Sequence, residues 1–481
     1  MKSKKKNILF YLPNGIMTPE VHLMTSLIQN YLDDNKNKVT VLTCAGTKDF
    51  SCSLNIYSIG EICKACISRR KIALSKLKGN VKILEIKNLY KFPKNFHKNK
   101  VKELMYQNID FGLGAYSSYV NTSKDSYLKG NISNEVIKNL LNTSYSYFQF
   151  FKHYLKHNRV DELLLYNSRM SEKRIIFRYA INKKIHISNY EKLSTARFFN
   201  FGKNFSQDRK FINKEILKFQ KNITKDFRNE KNFFNNKFFS KKDPITSKIY
   251  SQTKSPYELP KKWDLSKKNI VFFTSSDDEH LSFGKEFVPP FATNQEELIK
   301  KTCEILRYKP NFVLWIRIHP AIKNSKWFNK DFYENLKKKF KNVEIIYSDE
   351  YISSYAIMKR AFNIVCFWSF LLLESSYWRK QKPISLTKND FTEYGVAIVP
   401  NSLREYQKLI FLNPKIDNNL KKKALVYVKF FLKGGLKIKY FSGSVEVGYK
   451  FKNFNLDLNL FDNVFYYFGK IKEKLINNYY N

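Results

Sequence analysis

The residues whose type and spacing suit chemistry stand where apolar runs stop. VLWIRIHP, residues 313–320, is a buried-looking run that ends in Arg317, His319 and Pro320. Proline ends the strand, and a guanidinium with an imidazole at that point suits a phosphate group. The ending recurs. NIVFFTSS (269–276) closes on Ser275 and Ser276, and NIVCFW (363–368) runs into Ser369, with Glu374 about one helical turn beyond. In an open α/β sheet, ligands bind beyond the carboxyl ends of the strands, so these three endings outline a nucleotide or phosphate pocket. Plainer readings stand beside this one: Arg317 as the partner of a carboxylate, and Glu374 as a helix-surface residue. His319 beside Pro320 is the residue such readings explain least.

The surrounding elements must place these groups on one edge. WFNKDFYENLKKKF (327–340), SSYAIMKRA (353–361) and SFLLLESSYW (369–378) have helical periodicity, while VEIIY (343–347) and PISL (383–386) are short apolar strands. Alternation of this kind predicts βαβ units and a parallel sheet. The amino-terminal half repeats it: NILFYLPNG (7–15), a helix, then VTVLTC (39–44), a Rossmann-like opening without the G-x-G-x-x-G fingerprint. A dinucleotide cofactor is therefore not expected. Glu20 and His22 fall in the first turns of that helix. Further on, DELLLYNSRM (161–170) ends in Asn167, Ser168 and Arg169, a helix follows, and IHIS leads into Asn189, Tyr190 and Glu191. Helix capping and ordinary surface placement are the plain readings of these groups. NEVIKNLLNTSYSYFQFFKHYLKHN (134–158) carries an aromatic stripe read as core.

Four of six cysteines crowd together: Cys44, Cys52, Cys63 and Cys66. Four thiolates can close a tetrahedral structural zinc site. The first two are not a C-x-x-C pair, so free buried thiols remain the competing reading, with redox activity behind both.

A chain of 481 residues exceeds the roughly 250–300 residues that one core supports. The composition shift after 203 and the prolines at 244, 256 and 260 divide it. The expected parts are an N-terminal domain at 1–240, a linker at 241–262, a second domain at 263–412 and a helical, aromatic extension at 413–481. The net charge of +44 invites nucleic acid, since Lys and Arg hold a phosphate backbone. Lysine far outnumbers arginine, however, and the excess is spread among Asn, Ile, Phe and Tyr, whereas a nucleic-acid groove favours bidentate Arg contacts. No nucleic-acid partner is expected. An anionic membrane leaflet suits the same charge. The run after MKSKKK is too short for a secretion signal, and IVCFWSFLLL (364–373) is about half the ~20 residues of a spanning helix. The expectation is a cytoplasmic protein with peripheral contact to the inner face of the cell membrane.

The ordered pieces YNSR (166–169), Tyr190-Glu191, FFTSSDDE (272–279), RIHP (317–320) and SFLLLESSYWRKQKP (369–383) together resemble bacterial capsule and surface-polysaccharide biosynthesis proteins with the GT-B architecture. The resemblance covers most of residues 5–410. It implies an α/β fold, GT-B-like, with two Rossmann-like domains facing across a cleft. Two departures stand out: Phe370 to Leu373 replace small residues, and Arg379-Lys380 replaces Gly-Lys.

What the resemblance implies is transfer of a sugar from a nucleotide-activated donor to a glycan or glycolipid acceptor. Ser275, Ser276, Arg317, His319 and Ser369 would hold the donor phosphates, and Glu374 the ribose. Asn167 and Arg169 would line the acceptor side. Glu20, His22 and Glu191 are the candidate bases, with no choice among them. No metal is expected in catalysis, because Asp277-Asp278 is a weak donor-metal signature. Two other functions compete: a polyol-phosphate transferase acting on a CDP-alcohol, and a non-catalytic basic module on anionic lipid or nucleic acid.

Overall fold

The computed structural model describes residues 5–46, 50–194, 196–239, 257–276, 281–284, 287–322, 328–444 and 447–480. The chain divides into two compact units, Met1–Asp208 with Lys433–Asn481, and Arg209–Leu432. Each is described by itself.

The first unit runs β1 (Lys6–Tyr11), α1 (Thr18–Leu32), β2 (Asn37–Cys44), α2 (Gly60–Ser75) and β3 (Lys82–Ile86). It continues with α3 (Phe111–Ser123), α4 (Ser133–His157), β4 (Glu162–Tyr166), α5 (Ser171–Asn182), β5 (His186–Ser194) and β6 (Arg197–Asn200). The sheet order is β3-β2-β1-β4-β5-β6, parallel except for β6. Apolar residues fill β1 and β4 without alternation because both faces of a parallel sheet are covered. Leu23 and Leu27, four apart on α1, bury against Ile8, Phe10 and Val41 on one face. The aromatic stripe of α4 is core, as its periodicity predicts, with Phe148 and Phe151 edge-on to Tyr179 of α5.

The second unit opens with α6 (Arg209–Lys221) and α7 (Arg228–Phe238), then β7 (Lys268–Phe273), β8 (Phe312–Arg317), β9 (Val343–Ile346), β10 (Asn363–Cys366) and β11 (Ile384–Ser385). Helices Gln295–Leu306, Lys330–Lys339, Ser354–Arg360 and Leu371–Arg379 connect the strands. Every strand pair of the sheet β11-β10-β7-β8-β9 is parallel. The chain is thus α/β, with two Rossmann-like units.

The unit boundaries differ from those expected at 240 and 263. Residues 209–239 belong with the second sheet, where Phe234 of α7 stacks on Tyr377 at 3.9 Å. Residues 241–256 of the expected linker lie outside the described residues. The segment 413–481 is also not one extension. Residues up to 432 stay with the second unit, while β12 (Phe441–Ser444), β13 (Gly448–Phe451) and the helix Leu460–Tyr480 return to the first. The antiparallel β12–β13 hairpin sits on α1 and the sheet, with Phe441 edge-on to Phe198 at 4.7 Å. Contacts of this kind join residues far apart in sequence, so a local composition shift does not mark them.

Candidate functional site

In the first unit the strand order reverses between β1 and β4, which opens a crevice at their carboxyl ends. The β4 loop begins at Asn167, whose positive φ of 51° suits Asn because its Oδ1 accepts the Arg169 N–H at 3.0 Å. Four charged residues follow at once: Arg169, then Glu172, Lys173 and Arg174 on the first turn of α5. Long-range contacts bury this turn. Lys173 is 2% exposed and its Nζ meets the carboxylate of Glu20, at 0% exposure, at 2.5 Å. Glu172 accepts from Asn14 Nδ2 at 3.1 Å, Ser53 Oγ at 2.7 Å and Ser171 Oγ at 2.8 Å. Arg174 pairs with Asp110.

Three carboxylates here have an oxygen without a hydrogen-bond partner: Asp110, whose Oδ1 lies 3.4 Å from Arg178 Nε, Glu20 and Glu191. Burial pushes the Glu20 carboxyl up to about 7 against the opposing pull of Lys173, and its Oε1 has no hydrogen-bond partner. Glu191 follows Tyr190, the last residue of β5 paired with β4. It is half-buried, yet its Oε2 is closed off from solvent and also lacks a partner. Burial raises its pKa above the usual carboxylate value, while the charge of Arg169, a hydrogen bond from the Tyr166 hydroxyl to the carboxylate and the charge of Lys173 hold it down. A buried oxygen without a partner is costly unless a ligand supplies the donor.

His22 is not part of this group. It is buried on another side of α1, where its Nε2 accepts the Leu456 backbone N–H at 3.4 Å. The expected surface or crevice placement gives way to packing under the returning carboxyl-terminal segment.

The four crowded cysteines line one small cavity with Pro13, Phe50, Arg70 and Tyr147. Among the described residues, no group of three or more His, Cys, Asp or Glu is disposed to hold a metal. Burial raises the thiols of Cys52, Cys63 and Cys66, with Cys63 at about 11. Hydrogen bonds reach three of the four sulfurs: Gly46 N–H to Cys44 Sγ at 3.2 Å, Asn55 Nδ2 to Cys63 Sγ at 3.2 Å, and, from 51 positions away, Gly15 N–H to Cys66 Sγ at 3.0 Å. The last contact secures the loop after β1, where Gly15 is required because a Cβ would lie 2.1 Å from the Cys66 carbonyl oxygen.

In the second unit the strand order reverses between β7 and β10. Ser275 and Ser276 follow β7, His319 follows β8 and Ser369 follows β10, so four of the expected donor residues do fall at carboxyl ends. The side chain of Gln295, which sequence reasoning missed, clamps Ser275 by accepting its N–H at 2.7 Å and donating to its carbonyl at 3.0 Å. The buried Ser275 Oγ itself has no hydrogen-bond partner among the described residues. Thr274 Oγ1 accepts the His319 backbone N–H at 2.8 Å, which fixes the two strand ends together. His319 and Ser369 are half-buried.

Two expected donor residues are engaged elsewhere. The Arg317 guanidinium, 6% exposed, donates to the carbonyls of Tyr347 at 2.5 Å, Glu350 at 3.3 Å and Ile352 at 3.4 Å. It braces the loop after β9, and burial lowers it to about 10. Glu374, buried, pairs with Lys237 of α7 at 3.0 Å. The bulky run after Ser369 turns inward: Leu372 and Leu373 are buried, and Phe370 packs on Phe233 and Phe391. Asp277 and Asp278 lie outside the described residues.

No family model matches the chain, and no curated protein matches it. Solved structures do. They include a UDP-GlcNAc 2-epimerase from Methanocaldococcus jannaschii in complex with UDP-GlcNAc and UDP (13% identity, 88% of this chain and 99% of that one, TM-score 0.25). A UDP-GlcNAc 2-epimerase from Neisseria meningitidis bound to UDP-GlcNAc is 12% identical over 88% and 98%, with a TM-score of 0.23. The glycotransferase of kitacinnamycin is 10% identical over 90% and 96%, with a TM-score of 0.26. Likenesses this distant add nothing to what the two sheets establish.

Proposed function

We propose that this chain is a glycosyltransferase that uses a nucleotide-activated sugar, with Glu191 as the base that activates the acceptor hydroxyl. The observation that carries the reading is Glu191 Oε2, a buried carboxylate oxygen with no partner beside Arg169 at a switch-point crevice. In transfer, Oε2 takes the proton of the acceptor hydroxyl, that oxygen bonds to the anomeric carbon, and the bond from this carbon to the phosphate oxygen breaks. The raised pKa makes the carboxylate a better proton acceptor than an exposed one. Glu20 and Lys173 lie behind it as a charge-tuning pair. The leaving phosphate needs positioned donors, and His319, Ser275, Ser276 and Ser369 at the ends of β7, β8 and β10 are the groups for that task. A surface glycan or glycolipid is the acceptor this reading expects.

Calorimetric titration of CMP, CDP, UDP and GDP compounds into wild type and His319→Ala tests the donor side. The reading expects one nucleotide class to bind, and His319→Ala to weaken the diphosphate more than the nucleoside. No binding by any of the four overturns it.

A further inference from the structure

The last helix, Leu460–Tyr480, is apolar on a face that nothing among the described residues covers. Leu460, Phe461, Val464, Tyr467, Phe468, Ile471 and Leu475 are between 46% and 83% exposed. At 3.6 residues per turn they fall within one arc of about 120°. The helix is not loosely placed. Its other side lies on α2, where Gly469 comes so close that a Cβ would stand 2.6 Å from Ile62. Asp462 accepts from Ser68, Glu61 pairs with Lys472, and Lys64 lies 5.6 Å from the Phe465 ring. The docking therefore fixes the apolar arc outward.

We infer that this arc is a membrane-contact surface that seats on an anionic bilayer. Charge selects the occupant. Lys470 and Lys474 flank one side of the arc and Lys472 the other; Lys470 pairs with Glu473 and Lys472 with Glu61, and Lys474 makes no ion pair among the described residues, while Asp462 and Glu473 are on the α2 side and half-buried or buried. A chain of net charge +44 repels its own copy and is drawn to anionic headgroups. No helix among the described residues is long and apolar enough to cross a membrane, so this one lies along the surface. An aromatic and aliphatic face edged by lysines is what binds in that plane. The inference is independent of the proposed transfer reaction.

Co-sedimentation of the full chain with vesicles tests it. Wild type is expected to pellet with vesicles of phosphatidylcholine and phosphatidylglycerol at low salt, and to be released as salt rises. Phe468→Glu with Ile471→Glu should weaken this by at least about 10-fold with an unchanged melting temperature, because both side chains are exposed. Tyr308→Glu, at a 79% exposed site in the other unit, should leave binding intact. Equal pelleting of the double variant and wild type overturns the inference. So does a concentration-dependent dimer that the double variant abolishes while wild type ignores the vesicles.

Discussion

Lys173→Met should produce a stability loss that grows with pH, because it strips the cation from a carboxyl already reluctant to ionise. In wild type the Glu20 carboxyl is raised from 4.5 to about 7 and is fully buried. A carboxyl raised on folding binds more protons in the native state, so its contribution to stability falls as pH rises from about 4.5 and levels off above about 7. Over that window the cost is about 3 kcal/mol, at about 1.4 kcal/mol per pH unit. Both effects of Lys173 on Glu20, its charge and its hydrogen bond, act to lower the value. Without Lys173 the carboxyl titrates above 7, and the decline continues where wild type has flattened. The gap between variant and wild type should therefore widen by about 1.4 kcal/mol per unit above pH 7. Chemical denaturation at pH 6, 7, 8 and 9 reads this directly. Glu20→Gln with Lys173→Met should abolish the extra slope. A gap that stays constant from pH 6 to 9 would refute the assignment of Glu20 as the buried titrating partner.

The remaining predictions concern groups whose roles the contacts define. Arg317→Met should cost about 2–4 kcal/mol in denaturant melts, since it unties three loop carbonyls from a charged donor, and nucleotide affinity in the folded fraction should stay near wild type. Gly15→Ala should destabilise by about 3 kcal/mol, because the new Cβ meets backbone rather than a yielding side chain. The same variant should slow the reaction of Cys66 with a thiol reagent, because the Gly15 N–H that favours its thiolate moves away.

Strand ends were legible because polarity changes sharply where an apolar run stops, and that change is local. Ser275, His319, Ser369 and Asn167 fall where such endings predict. The direction a side chain takes after the strand is not local. Arg317 is the last residue of β8 and turns to a loop 30 or more positions on, while Glu374 meets a lysine 137 positions away. The Glu20–Lys173 contact spans 153 positions. Its signal was nonetheless present: Glu172, Lys173 and Arg174 open a helix directly after an apolar strand, where three successive charges must find buried partners. For the cysteines the sequence left structural zinc and free buried thiols as competing readings. Crowding in sequence fixes neither the thiolate state nor a common centre; burial raises the thiols of Cys52, Cys63 and Cys66 around a cavity. The return of residues 433–481 to the first unit had no local signal.

The most direct test is turnover by Glu191→Gln with the nucleotide sugar that binds best in titration. The substitution keeps the side-chain shape and removes only the proton acceptor. The account predicts transfer at least about 100-fold slower, the lower end of the range for one acid–base group, with donor affinity within about twofold of wild type. Transfer at the wild-type rate by a folded Glu191→Gln protein would contradict it.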